Sequence, residues 1–330
     1  MRRFCTSGPV DKKTCYYVER PDIMEEALDH IENWRYFTVS APRQSGKTTL
    51  LNDIVEKIKD KYLPIFISFE SYGKKSLKSF LKTIIRDIED DIEYRYNQKI
   101  ELKTLEELDE IRETILEIYK KTNKEIILMI DEFERLDENI MNEFLHIIRS
   151  IYHKKQIYKL RSVILISVGY LSGILEDNAS PFNIAEYLEV PYFTKEQVYD
   201  LLNQHETETG QIFEEKVKEL IWHNAAGQPG LTNGLAYDLV MKKAKGEKII
   251  TEKHFEKTLY DYMRVYIDKN ISNIINKAKK EKELMMKILF EPNNIEFNIY
   301  DENIKFLYIN GVIDNCEGIC CVKVPLYYKA

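Results

Sequence analysis

Apolar side chains recur at helical spacing soon after the amino terminus, where Ile23, Met24, Ala27, Leu28 and Ile31 share one face of a helix predicted over 22–33. The period then changes. Residues 36–41 are β-branched and aromatic enough for a strand, 42–47 punctuate it, and helical spacing resumes over 48–59 through Leu50, Leu51, Ile54 and Ile58. Further strands are predicted over 63–69, 126–130, 163–168 and 187–190, with charged amphipathic helices in most of the intervals. Strands alternating with helices need crossover connections, so residues 1–190 predict an α/β domain whose parallel sheet is covered on both faces.

Beyond Pro191 the strand signals stop. Helices are predicted over 194–205, 214–223, 230–245 and 252–266, broken at Thr209-Gly210 and at Gly227-Gln228-Pro229-Gly230, which makes 191–267 a separate helical unit. Residues 268–330 read differently again: one long helix through 290, a short helix over 304–309, then strands over 311–314 and 319–327. These strands flank the turn-rich Asn315-Cys316-Glu317-Gly318, and helices followed by a two-stranded hairpin predict a winged-helix module.

Composition narrows the class. With 44% hydrophobic and 12% aromatic residues and only 12 Gly and 9 Pro in 330, the chain has the material for packed interiors and little for disordered linkers. Apolar runs fall short of the roughly 20 residues a spanning helix needs, and the first residues carry no apolar signal core, so neither membrane insertion nor secretion is expected. A net charge of -7, from 48 basic and 55 acidic residues, argues against coating nucleic acid by bulk electrostatics but leaves room for a local basic face. The five cysteines cannot all pair within one chain, and reduced thiols in a cytoplasmic protein are expected. Cys316, Cys320 and Cys321 have no histidine nearby, so they are read as semi-buried hairpin thiols and no metal is assigned to them.

The chemistry concentrates in Ala41-Pro42-Arg43-Gln44-Ser45-Gly46-Lys47-Thr48-Thr49, which joins a strand to a helix and ends in Gly-Lys-Thr. Such a loop, Pro42 to Thr49, can wrap its backbone N–H groups, from Arg43 onward, around phosphate oxygens and add the positive end of the helix dipole. Lys47 would reach the β/γ-phosphates, Thr48 would offer a hydroxyl to magnesium, and Gly46 would permit close backbone approach. Ala41 stands where the consensus has glycine. Downstream, the apolar strand 126–130 runs into Asp131-Glu132, at the carboxyl end where ligands of such sheets bind. Asp131 is assigned to magnesium through water, and Glu132 to polarising the water that attacks the γ-phosphate; the same acids could instead cap the next helix. Ser167, ending the fourth strand, either reaches the γ-phosphate or lytic water or simply terminates the strand.

With these motifs in place, the chain resembles the AAA-like branch of P-loop ATPases, the ASCE class, close to the STAND group of signalling ATPases and their archaeal relatives. The resemblance spans nearly the whole length. It rests on Arg2-Arg3-Phe4 with Gly8-Pro9-Val10, Tyr16-Tyr17 with Arg20-Pro21, Tyr36-Phe37-Thr38, Pro42-Arg43-Gln44, Ser180-Pro181-Phe182-Asn183-Ile184 and Gly227-Gln228-Pro229. It implies ATP and magnesium as ligands, a helical lid whose Gly-x-Pro turn brings Pro229 to the base, and base contacts from Tyr17 and Arg20. No spacing picks an arginine finger among Arg135, Arg149 and Arg161, and Arg43 is open to a nucleotide, a partner or no role.

The function these readings imply is a magnesium-dependent ATPase acting as a nucleotide-driven switch in signalling, defence or regulation. The alternative is a winged-helix binding module in which ATP is structural. Over 268–330 nine lysines face nine acids, so a protein partner or self-association through the winged helix is favoured over nucleic acid, although Lys277, Lys279, Lys280 and Lys282 cluster. A ring-forming motor would need a trans arginine finger and pore loops, and neither is identifiable.

Overall fold

The computed structural model describes residues 1–73, 75–167, 183–291 and 295–329. Val168, the expected end of the fourth strand, and Ser180-Pro181-Phe182 of the resemblance lie outside the described residues. The chain divides into two compact units, neither of them continuous in sequence. A sheet unit takes Pro21–Ser40 and Leu50–Glu189, and a helical unit takes Met1–Arg20, Ala41–Thr49 and Val190–Ala330. Among the described residues no helix is long and apolar enough to cross a membrane.

The sheet unit opens with α1 (Pro21–Glu32) and β1 (Phe37–Ser40); α2 (Lys47–Ile58) begins in the phosphate loop and ends in this unit. Then come β2 (Leu63–Ser68), α3 (Leu77–Tyr96), α4 (Ile111–Thr122), β3 (Ile126–Asp131), α5 (Glu138–Tyr152), α6 (Lys155–Tyr158), β4 (Leu160–Ser167) and β5 (Glu186–Glu189). The strand order is β2-β3-β4-β1-β5, and every pairing is parallel. This is the α/β parallel sheet that the alternation of patterns predicts. Central β3 and β4 are buried on both faces, which is why 126–130 and 163–166 read as unbroken apolar runs rather than alternating ones. One side of the core is aromatic: Phe69 lies 4.5 Å from Tyr72 and 6.1 Å from Phe133, ring centre to ring centre, with Phe80 and Phe144 edge-on to it. Register aligns the strand ends, Ser40 opposite Ser167 and Ser68 opposite Asp131, so one edge of the sheet presents the carboxyl ends of β1 to β4.

The helical unit holds α7 (Lys195–Thr209), β6 (Ile212–Phe213), α8 (Glu215–Ala225), α9 (Pro229–Asp238), β7 (Ile249–Ile250) and α10 (Glu252–Arg264). It continues with α11 (Lys269–Ala278), α12 (Lys282–Phe290), α13 (Glu302–Ile309), β8 (Ile313–Cys316), β9 (Ile319–Val322) and α14 (Pro325–Lys329). Capping chemistry sets several starts: Thr194 and Gln197 form a reciprocal capping box on α7, and Pro229 opens α9 behind Gln228. The amino-terminal segment belongs to this core, with Phe4 and Tyr16 packed around His205 and Phe213.

Several expectations change. The helix expected to run through 290 breaks into α11 and α12 with a tighter 3-10 turn at Lys279–Glu281. Four successive charged residues, Lys279 to Lys282, supply no apolar side chain to hold a continuous helix there. The helix over 230–245 ends at Asp238 and continues as a π turn, Leu239–Lys243. The last strand stops at Val322, because Pro325 cannot donate to a ladder and starts a helix instead. The parallel pair β6 and β7 leaves no trace in the sequence pattern, since two-residue strands have no period to read. Finally, Cys316 and Cys321 are joined in a disulfide rather than held as thiols: the hairpin turn places their Cα atoms 5.9 Å apart. Cys5, Cys15 and Cys320 are free.

Candidate functional site

The loop from Ala41 to Thr49 follows β1 in the chain, yet its contacts belong to the helical unit. Gln44 and Gly46 take positive φ values, 58° and 92°, which fold the loop back on itself before α2 begins at Lys47. Lys47 is buried, and its ammonium donates to the carbonyls of Ala41 and, at 3.0 Å, Pro42. A buried cation at a helix amino terminus makes the loop attractive to an anion. Ser45 is fully buried and its Oγ has no hydrogen-bond partner among the described residues, a cost of about 1–3 kcal/mol unless a ligand supplies one. These features fit a phosphate chain, and Thr48, half-buried on the first turn of α2, fits a hydroxyl ligand for its magnesium.

Three distant segments fasten the loop. Arg20 donates from Nη2 to Ser45 O at 3.0 Å and from Nη1 to Pro191 O at 3.1 Å, with its guanidinium 4.8 Å from the Phe193 ring centre. Burial lowers its pKa to about 10, so it remains charged at neutral pH. The turn before α9 docks on the other side: Gln228 Nε2 donates to Arg43 O at 3.2 Å and Gln44 O at 3.4 Å, and Gly230 N donates to Gln44 O at 3.2 Å. The turn before β8 is the third. Gly311 has φ 73°, and a Cβ there would lie 2.7 Å from Pro42 Cγ. Val10 N also donates to Thr49 Oγ1 at 3.1 Å.

Of the other expected residues in this unit, Pro229 is buried at the start of α9, next to the fastened Gln228. Arg43 is exposed. Tyr17 is held elsewhere: Gln204 Nε2 donates to its carbonyl at 2.7 Å, and it lines a cleft of about 570 Å³ with Lys12, Glu196 and Asp200. Thus Arg20 meets the loop, while Tyr17 faces the α7 cleft.

In the sheet unit, Asp131 ends β3 and its carboxylate Oδ1 accepts from Glu132 N at 2.9 Å. Glu132 sits in the left-handed region, φ 54° and ψ 38°, a conformation a non-glycine residue adopts at a cost and one that turns the chain sharply off the strand. Its carboxylate pairs with Arg135 Nε at 3.1 Å. Ser167 is buried opposite Ser40 at the same sheet edge as Asp131. The three arginines separate: Arg135 is bound to Glu132, Arg149 is half-buried on α5, and Arg161 is held at the amino end of β4 by Glu125 and Ile31 O, between Trp34 and Tyr62. Arg161 therefore lies at the opposite end of its strand from Ser167. No sequence pattern marks Gln228 or Gly311 as a loop contact. A buried glutamine just before a helix-opening proline is a signal for a cap, and only the fold reveals its second use.

A family model described as an AAA-like domain matches residues 5–329. An uncharacterized ATP-binding protein of Methanocaldococcus jannaschii is 23% identical over 337 residues, covering 87% of each chain. Among solved structures, a Walker-type ATPase of Pyrococcus abyssi superposes with a TM-score of 0.70 at 15% identity over 98% of both chains. Cdc6p from Pyrobaculum aerophilum does so with a TM-score of 0.54 at 16% identity, over 96% of this chain and 95% of that one. At these identities the structural likeness shows the fold, the parallel-sheet α/β core of P-loop ATPases.

Proposed function

Because this chain belongs to the AAA-like domain family, we propose that it is an ATP-binding, magnesium-dependent ATPase whose nucleotide state switches its helical unit. The observation that carries this reading is the loop: a buried Lys47 ammonium, an unsatisfied buried Ser45 hydroxyl and a helix amino terminus all fall within residues 41–49. Lys47 would bind the β/γ-phosphates, and the backbone from Pro42 to Thr49 would cradle them. Thr48 and Asp131 would hold magnesium, which screens the phosphate charge when bound. Glu132 would take up the proton of the attacking water, released for this from Arg135, with Ser167 polar at the same sheet edge. The fastening of the loop to the turns at Gln228 and Gly311 supports a switch, since a shift of Gln44 is felt directly at Gln228 and a shift of Pro42 at Gly311. Helices α11 to α13 followed by the β8-β9 hairpin support a winged-helix reading of the last segment, and with it a protein partner or self-association there.

Mg-ATP at 100 times its dissociation constant should stabilise the protein by roughly 2.7 kcal/mol, and Lys47→Ala should abolish the shift in melting temperature. Glu132→Gln should keep the shift and turn over about 10²- to 10⁴-fold more slowly. Identical melting curves with and without Mg-ATP, in nucleotide-free protein, would sink the reading. Parent-like turnover in Glu132→Gln would move the water-activating role to another residue.

A further inference from the structure

We propose that Gln228 is a positioning residue for the phosphate loop, turning the loop's N–H groups inward and thereby making phosphate affinity depend on the docked turn before α9. The proposal rests on the ATP reading of the same loop. Gln228 is fully buried, and every polar atom of its carboxamide is used. Its Oε1 accepts from Leu231 N, at 2.5 Å, and so caps α9. Its Nε2 donates to the carbonyls of Arg43 and Gln44.

The consequence follows from peptide geometry. In a trans peptide the C=O and the following N–H point in opposite directions. Drawing the Arg43 and Gln44 carbonyls toward Gln228 therefore turns the N–H groups of Gln44 and Ser45 away from it, as a phosphate cradle requires. The neighbouring contact has the same sense: Gly230 N donates to Gln44 O, and a Cβ at residue 230 would come within 2.8 Å of Gln44 Cβ, so the approach is close enough to exclude a side chain. Gln44 holds φ 58°, an unfavourable value for a non-glycine residue that needs such outside fastening to persist. A single carboxamide thus serves as helix cap and loop clamp. Because binding couplings are reciprocal, a nucleotide that uses the inward N–H groups must in turn secure the start of α9.

Gln228→Glu separates the two roles. The carboxylate still accepts from Leu231 N, so the cap survives, but it has nothing to donate and sets negative charge against two carbonyls. Mg-ADP binding is measured by calorimetry on the full chain, beside the parent and Lys47→Ala, together with the melting temperature without nucleotide and amide exchange over 231–235. The expected result is at least a tenfold weaker Mg-ADP affinity at a temperature where both nucleotide-free proteins are folded, with some fall in the variant's melting temperature from the buried charge. Slowed exchange over 231–235 on Mg-ADP binding should be present in the parent and absent in the variant. Gly230→Ala, which keeps the carboxamide and pushes on Gln44, should weaken Mg-ADP likewise and serves if Gln228→Glu does not fold. A parent that binds while these variants bind equally well overturns this proposal alone. A parent that binds no Mg-ADP overturns the ATP reading and this proposal with it. A variant whose lost affinity disappears once only its folded fraction is counted would make Gln228 a structural residue only, also overturning it.

Discussion

His205 on α7 is buried with both ring nitrogens engaged: Tyr16 Oη lies 3.1 Å from Nδ1, and Gln211 Oε1 lies 2.9 Å from Nε2. Gln211 spends its amide hydrogens on Ala244 O and Glu247 O, so its oxygen accepts and Nε2 carries the proton. Nδ1 then accepts from Tyr16, and the neutral ring is the satisfied form. Burial lowers the His205 pKa below its ordinary 6.5, with the Gln211 bond and Glu206 and Glu208 pulling weakly the other way. The unfolded chain therefore takes the proton first as pH falls. This residue's contribution to stability is complete above about pH 6.5 and is lost as pH drops from there toward the folded value. Between about pH 7 and pH 5, the melting temperature of His205→Gln should fall less than the parent's, whatever its starting value. Equal slopes would assign the acid sensitivity to other groups. Residue roles of this kind were only partly legible. Lys47 and Asp131 announce themselves because strand-loop-helix spacing and a strand-ending acid are local patterns. Gln228 and His205 act through partners that no local spacing connects to them.

The hairpin of β8 and β9 turns on two residues, Glu317 at φ 53° and Gly318 at φ 88°, with Cys316 opposite Ile319. Two consecutive positive φ values define the tight turn that matches the twist of the strands, and it prefers Asn-Gly. Glu317 is exposed, so its side chain gives little back for a left-handed backbone that costs a non-glycine residue about 1–2 kcal/mol. Glu317→Asn should raise stability by roughly 0.5 kcal/mol, read as a higher midpoint in denaturant with an unchanged slope. A lower midpoint would mean that Glu317 has a contact worth more than the turn. The turn's place was visible in the sequence from Asn315 to Gly318, but its register was not, because Gly, Asn and Glu fit several turn types. The same limit explains α11 and α12. Apolar spacing continues across 268–290, and only the charged run at Lys279 to Lys282 hints at the break. Long buried strands were the easiest elements to read, since a short unbroken apolar run ending at Asp131 fits a strand buried on both faces better than an amphipathic helix.

On the scale of the whole chain, the phosphate loop gathers contacts from the amino-terminal segment, the turn before α9 and the turn before β8, all within the helical unit. The sequence displays the loop and conceals its fastenings, because Arg20, Gln228 and Gly311 stand at no periodic distance from it. Gly311 offers the sharpest test of whether these fastenings matter. A methyl group there would meet Pro42 at 2.7 and 2.9 Å and the Tyr192 hydroxyl at 3.0 Å. The proline ring is stiff, and the Tyr192 hydroxyl is buried, so relief must come from moving Pro42 and with it the loop. Gly318 is the matched control: its φ of 88° imposes a similar backbone cost, yet a Cβ there has nothing within 4 Å. Gly311→Ala and Gly318→Ala should each lose about 1 kcal/mol of stability from the positive φ alone. Only Gly311→Ala should also weaken Mg-ADP binding and erase any difference in hairpin amide exchange between the ATP and ADP states. Should both variants bind Mg-ADP as the parent does, the last segment of the chain would be a passenger on the loop, and the switch reading would have to rest on the turn before α9 alone.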